Sequence, residues 1–78
     1  MDERLKDLAP GDRAQIVGFT TSSHAYRERL LAMGLTRGTE LALNKVAPFG
    51  DPVEVTVRGT NLSLRKNEAE VLVIRRLT

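Results

Sequence analysis

The chain has no cysteine, no tryptophan and a single histidine among its 78 residues. Without cysteine no disulfide forms, which fits a reducing cytoplasm. His24 supplies at most one imidazole, where a zinc site takes three or four protein ligands. Carboxylates could complete a hard-metal site, but no DxDxD-like cluster or HxxE spacing occurs, and no Ser/His/Asp arrangement stands out. Neither GxGxxG nor GK[ST] appears, so no phosphate loop is written into the sequence. The reading is a non-enzyme with no catalytic residue, no metal ligand set and no cofactor.

Long apolar runs are missing too. No window approaches the roughly 18 apolar residues of a membrane span. The opening "MDERLKDLAP" has no apolar core, so no signal peptide is expected. Charge is nearly balanced, with 12 basic against 10 acidic side chains and a formal net charge of +2. The isoelectric point of 9.5 reflects few groups titrating near neutrality rather than a nucleic-acid footprint. Aromatics are limited to Phe19, Tyr26 and Phe49. That is too few for the stacking platforms of nucleic-acid-binding barrels or for a proline-rich-peptide groove.

What remains is a small globular domain of ordinary apolar content, 41%. Residues 1–78 are read as one domain. Ala9-Pro10-Gly11-Asp12 has the composition of a turn. Residues 13–19, "RAQIVGF", alternate as a strand, with Gly18 marking a bulge or a close backbone approach. After the polar break "TTSS", in which Ser22 or Ser23 is the expected cap, "HAYRERLLAM" reads as a helix. Tyr26, Leu30 and Met33 share one face. Leu31 lies away from that stripe beside Arg27, so either the buried face is wide or Leu31 is partly exposed.

Gly34 and Gly38 read as backbone devices. Gly34 follows the apolar helix where a left-handed C′ residue is expected, with Leu35 folding back on the last turn. Gly38 is placed at the third position of a tight turn into the next strand. Residues 39–46 alternate and then slip phase at Val46. "APFGDP" is a loop between two prolines. Residues 53–58, "VEVTVR", form the cleanest strand. Gly59-Thr60 fits a type II′ turn leading into residues 61–65. That register sets Val57 against Leu62, Val55 against Leu64 and Glu54 against Arg65. "KNEAE" is a polar insert of one helical turn, with Glu68 and Glu70 read as solvated charge. "VLVI" is a last buried strand. The fold class is mainly β with one α-helix: five short strands curl into a small barrel, the helix lies between strands 1 and 2, and a short helical turn precedes the last strand.

"YRERLLAMGLTRGTEL", "APFGDPVEV" and "LSLRKNEAEVLVI", together with "LAPGDRAQIVGF", closely resemble the ferrous iron transport protein A (FeoA) family from Leu5 to Ile74. Many relatives carry Pro before the second glycine, where this chain has Arg37. Losing that Pro weakens the turn by about 0.4–1 kcal/mol through the unfolded chain. The resemblance implies an SH3-like barrel. It also implies a cytoplasmic accessory protein, peripheral to the inner membrane, for a bacterial Fe2+ transporter. The partner is then ferrous iron transport protein B, a membrane GTPase-permease, through its cytosolic region. Related SH3-like domains end metal-dependent repressors of the diphtheria-toxin-regulator type. On this reading the contact residues are Tyr26, Arg27, Leu30, Leu31, Phe49 and Asp51, from the helix with its following turn and from the "APFGDP" loop. Phe49 reads either as a lid on the barrel end or as a presented anchor. Competing readings are a nucleic-acid-binding or transcription-regulator-associated barrel, an Fe2+ carrier, and a GTPase-stimulating protein using Arg27, Arg29 or Arg37. A homo-oligomer stays open as well.

Overall fold

The structure, a computed structural model, describes residues 3–20 and 24–77. Five strands, β1 (Arg13–Phe19), β2 (Glu40–Val46), β3 (Val53–Val57), β4 (Thr60–Leu64) and β5 (Leu72–Arg76), carry helix α1 (His24–Ala32) between β1 and β2. A shorter helix, α2 (Lys66–Val71), leads directly into β5, and 3-10 turns occupy Leu5–Asp7 and Pro48–Gly50. The sheet runs β4-β3-β2-β1-β5 with every pairing antiparallel, so β4 and β5 are its edges. Glu3 bridges to Ile74 on the outer side of β5, through hydrogen bonds of 2.8 and 2.9 Å.

Alternation decides what the curled sheet encloses. Ala14 and Ile16 of β1, Leu41 and Leu43 of β2, Val53, Val55 and Val57 of β3, Leu64 of β4, and Leu72 and Ile74 of β5 are all buried. Leu5 and Leu8, Leu30 and Leu35, and Ala69 and Val71 close the core from the N-terminal segment, the α1 region and α2. Full burial of such a side chain is worth about 1.5–3 kcal/mol. In a chain this short, few of them can be spared.

The expected bulge at Gly18 is present as a register shift between Ile16 and Gly18 against β5. No close approach accompanies it: a Cβ built on Gly18 would meet only the Arg37 guanidinium, at 3.9 Å. The phase slip near Val46 is also a bulge, between Leu43 and Lys45, and it leaves Val46 42% exposed. The turn at Ala9–Asp12 closes with Asp12 N–H donating to Ala9 O at 2.9 Å.

The β3–β4 hairpin differs from the expected register. Its turn is Arg58-Gly59, both at positive φ (52° and 79°), as a type I′ turn requires, rather than Gly59-Thr60. Val57 therefore faces Thr60, Val55 faces Leu62 and Val53 faces Leu64. The shift is two residues, an even number, so every side chain keeps its face. The expected Glu54–Arg65 pair does not form. Glu54 lies opposite Ser63 and 4.0 Å from Lys45, whereas Arg65 leaves the sheet to cap α2.

Helix α1 ends as Gly34 predicts. Leu35 N–H donates to Leu30 O and Gly34 N–H to Leu31 O, both at 3.0 Å, which is the Schellman pattern. Gly34 has φ +87°, and Leu35 folds back so that it and Leu30 are both fully buried. Gly38, φ +88°, is third in the Thr36–Thr39 turn. The expected caps, Ser22 and Ser23, lie outside the described residues.

These observations separate two glycines. Gly34→Ala puts a Cβ in the left-handed region with nothing nearby to clash, so pure backbone strain should cost about 1–2 kcal/mol. Gly18→Ala meets ordinary contact distance and should change stability by less than about 0.5 kcal/mol. Urea midpoints at constant m-value test the contrast, and equal losses at both sites would contradict it.

Candidate partner-binding surface

An ion pair joins helices α1 and α2. Arg29 Nη1 lies 2.9 Å from Glu68 Oε2. Glu68 is buried, with 4% of its surface exposed, which corrects its reading as solvated charge. Its other oxygen accepts the Arg65 backbone N–H at 2.8 Å, capping α2. Burial pushes the Glu68 carboxyl upward. The Arg65 amide and Arg29 guanidinium bonds, with the charges of Arg29 and Arg65, outweigh that and leave its pKa below the ordinary glutamate value. Glu70, by contrast, is exposed as expected.

Beside this pair opens a polar cleft of about 300 Å³, lined by Tyr26, Arg29, Asp51, Arg65, Lys66, Asn67 and Glu68. Tyr26 and Asp51, 25 positions apart in sequence, thus border one cleft. Tyr26 packs half-buried against the core, and its hydroxyl accepts from Asn67 Nδ2 at 3.5 Å. Asp51 accepts the Lys66 backbone N–H at 3.2 Å and lies 3.7 Å from Arg65. Two contacts therefore tie the start of α2 to the loop after β2.

That loop projects Phe49. Its side chain is 100% exposed and its backbone sits at φ 71°, ψ 9°. Of the two expectations, lid or presented anchor, the geometry gives an aromatic ring turned out of the barrel. Pro48 on one side and Asp51–Lys66 on the other hold its base.

On the far side of α1, Arg27 lies 5.6 Å over the Phe19 ring, a cation–π distance. Arg37 reaches the neighbouring position of β1, at Gly18. Leu31, one turn after Arg27 on α1, is half-buried. Leu30 has no accessible surface, so it serves the core and offers nothing to a partner. The residues fall into two groups: Arg27 with Leu31 at the α1 corner, and Tyr26, Asp51 and Phe49 around the cleft and loop. Sequence reasoning missed Arg29 and Glu68 because each looks like a solvated surface charge when read alone. The Arg65-x-x-Glu68 spacing of a cap and its N3 acid was the available signal.

Among the described residues no group of three or more His, Cys, Asp or Glu side chains could hold a metal ion. No helix among them is long and apolar enough to cross a membrane.

A family model described as the FeoA domain matches residues 3–76. Over 66 residues the chain is 36% identical to a Fe(2+) transport protein A/Fe(2+) transporter FeoB fusion protein of Porphyromonas gingivalis. That match covers 85% of this chain and only 8% of the fusion protein's length. The solution structure of a FeoA-like protein from Clostridium acetobutylicum superposes with a TM-score of 0.88 at 32% identity, covering 99% of this chain and 88% of that one. A manganese-dependent transcriptional repressor shares the fold, with a TM-score of 0.88 at 13% identity, over 97% of this chain and 42% of the repressor. The five-stranded sheet is thus the SH3-like small barrel of these structures.

The Glu68 site makes a signed prediction. Its lowered folded pKa means the carboxylate stabilises the fold above the ordinary glutamate pKa of about 4.3, and that this contribution is lost as pH falls through the lowered value. Glu68→Gln should cost about 1 kcal/mol at neutral pH, a modest figure because Arg29 is largely solvated. The deficit should vanish in acid. Urea unfolding of both proteins from pH 7 downward checks this, and a pH-independent deficit would assign Glu68 a packing role only.

Proposed function

This chain belongs to the FeoA domain family, and on that premise we propose that it is a non-catalytic accessory protein of ferrous iron uptake. It works at the cytosolic face of the membrane by docking on the cytosolic part of a ferrous iron transport protein B, the GTPase-permease. Fe2+ is the transporter's cargo on this reading, and the docked protein acts through protein–protein contact.

One observation carries the reading to a surface: a phenyl ring held wholly in solvent by a constrained loop. Exposed aromatic anchors at well-braced positions are what recognition surfaces concentrate. Asp51 stands two residues from the ring and retains 41% exposure of its side chain. Leu31 adds an apolar contact at the α1 corner, and Arg27, braced over Phe19, adds a charge. The fusion relative supports association as the role of the FeoA unit, since there the two activities named share one polypeptide.

Titration of the transporter's cytosolic region with this protein, by calorimetry, tests the proposal. Phe49→Ala and Leu31→Asp should each weaken binding at least about tenfold, or ~1.4 kcal/mol. Thermal unfolding of Phe49→Ala should match wild type, because the ring makes no core contact. Folded variants that bind like wild type would remove both residues from the docking surface.

A further inference from the structure

A second cleft, of about 270 Å³, borders the Phe49 loop at Gly50. Its floor and walls are apolar: Leu5, Val46, Val53 and Ala69. Gly50, the residue after Phe49, forms part of its lining, whereas the Phe49 ring is wholly in solvent and takes no part in it. The rim is charged, with Arg4, Lys6 and Lys66 against a single carboxylate, Glu70. Among the described residues none of these three cations forms a side-chain ion pair. The loop from Ala47 to Pro52 has the complementary character: a phenyl ring, no cation, and Asp51, whose Oδ1 meets the Lys66 amide and Arg65 while its side chain stays 41% exposed.

We propose that this patch is a self-association site, in which Phe49 of each of two copies fills the apolar cleft of the other. A two-fold contact requires knob and hole on one patch of the same chain, and Gly50 and Val46 place them side by side. The second copy is the occupant because its loop matches the cleft in both respects, an aromatic for the apolar floor and an acid for the cationic rim. The area is small. A buried phenyl ring contributes roughly 150–250 Å², so two of them with their rims fall at the low end of specific interfaces, below about 1,200 Å² in total. The dimer is therefore weak and dependent on concentration. Where the docking reading holds, the same ring serves both contacts, so self-association competes with docking.

Sedimentation velocity of the full chain alone, from micromolar to millimolar concentration, tests this without any transporter present. The sedimentation coefficient should rise from the monomer to the dimer value for wild type. Phe49→Ala and Phe49→Asn, which remove the knob, should weaken association at least about tenfold with unchanged Tm. Val46→Asp, which spoils the cleft at a half-exposed position, should do the same. Mixing Phe49→Ala, which has an intact cleft, with Val46→Asp, which has an intact ring, should restore a weaker dimer through one of the two contacts. Wild type that stays monomeric at millimolar concentration overturns the proposal, as do Phe49 variants that associate like wild type. Amide signals lining the cleft that move only when the transporter's cytosolic region is added would assign the cleft to that partner instead, and would leave the docking reading standing.

Discussion

The Glu68 carboxylate is the point on which the functional side of the molecule depends. One oxygen takes the Arg29 guanidinium from α1, and the other caps α2 at Arg65. With α2 fixed, Ala69 and Val71 enter the core and the Lys66 amide is set where Asp51 can accept it. Asp51 in turn braces the loop that carries Phe49. Two hydrogen bonds thus link a buried acid to the loop that carries a fully exposed ring. The net worth of the pair is modest, since burying the carboxylate opposes the gain from its partners. Its consequence is positional: one helix, one cap and one loop are held in a fixed relation.

Much of the barrel was legible because it follows from local rules. Leu30 and Leu35 announce a Schellman ending through Gly34, and Val53, Val55 and Val57 announce an inward face by strict alternation. The hairpin shows where such rules stop. Gly59 is acceptable at the first place of one turn type and the second of another, and Arg58 gives no hint that it will adopt positive φ. Because both choices leave the same face inward, hydrophobic pattern could not separate them. Glu68 shows a second limit. Its burial depends on Arg29, 39 positions away, and no local periodicity encodes that distance. Of the expected contact residues, Leu30 belongs to the core because the stripe that places it on a face also drives it inward.

Three aromatic side chains serve three purposes here. Tyr26 spends its ring on the core and its hydroxyl on Asn67, and Phe19 lies under Arg27. Phe49 alone meets only water. In so small a barrel, with so few large side chains to stabilise it, an aromatic excluded from the core represents stabilisation forgone. The fold itself does not dictate that choice, since the same barrel serves in proteins of different purpose. The difference lies in which side chains are left outside and how firmly they are held.

The bridge between Glu3 and Ile74 has a consequence for synthesis and for gene architecture. It brings residues 71 positions apart into hydrogen-bonded contact, and β1 depends on β5 for a full edge of its ladder. On a ribosome, the β2–β3–β4 meander can form while the rest is still being made. The barrel cannot close until β5 has emerged, so its longest-range pairing forms last. The same adjacency means that the polypeptide enters and leaves the barrel at nearly one point. A unit built this way can be joined to, or set within, a longer chain without threading through its own sheet.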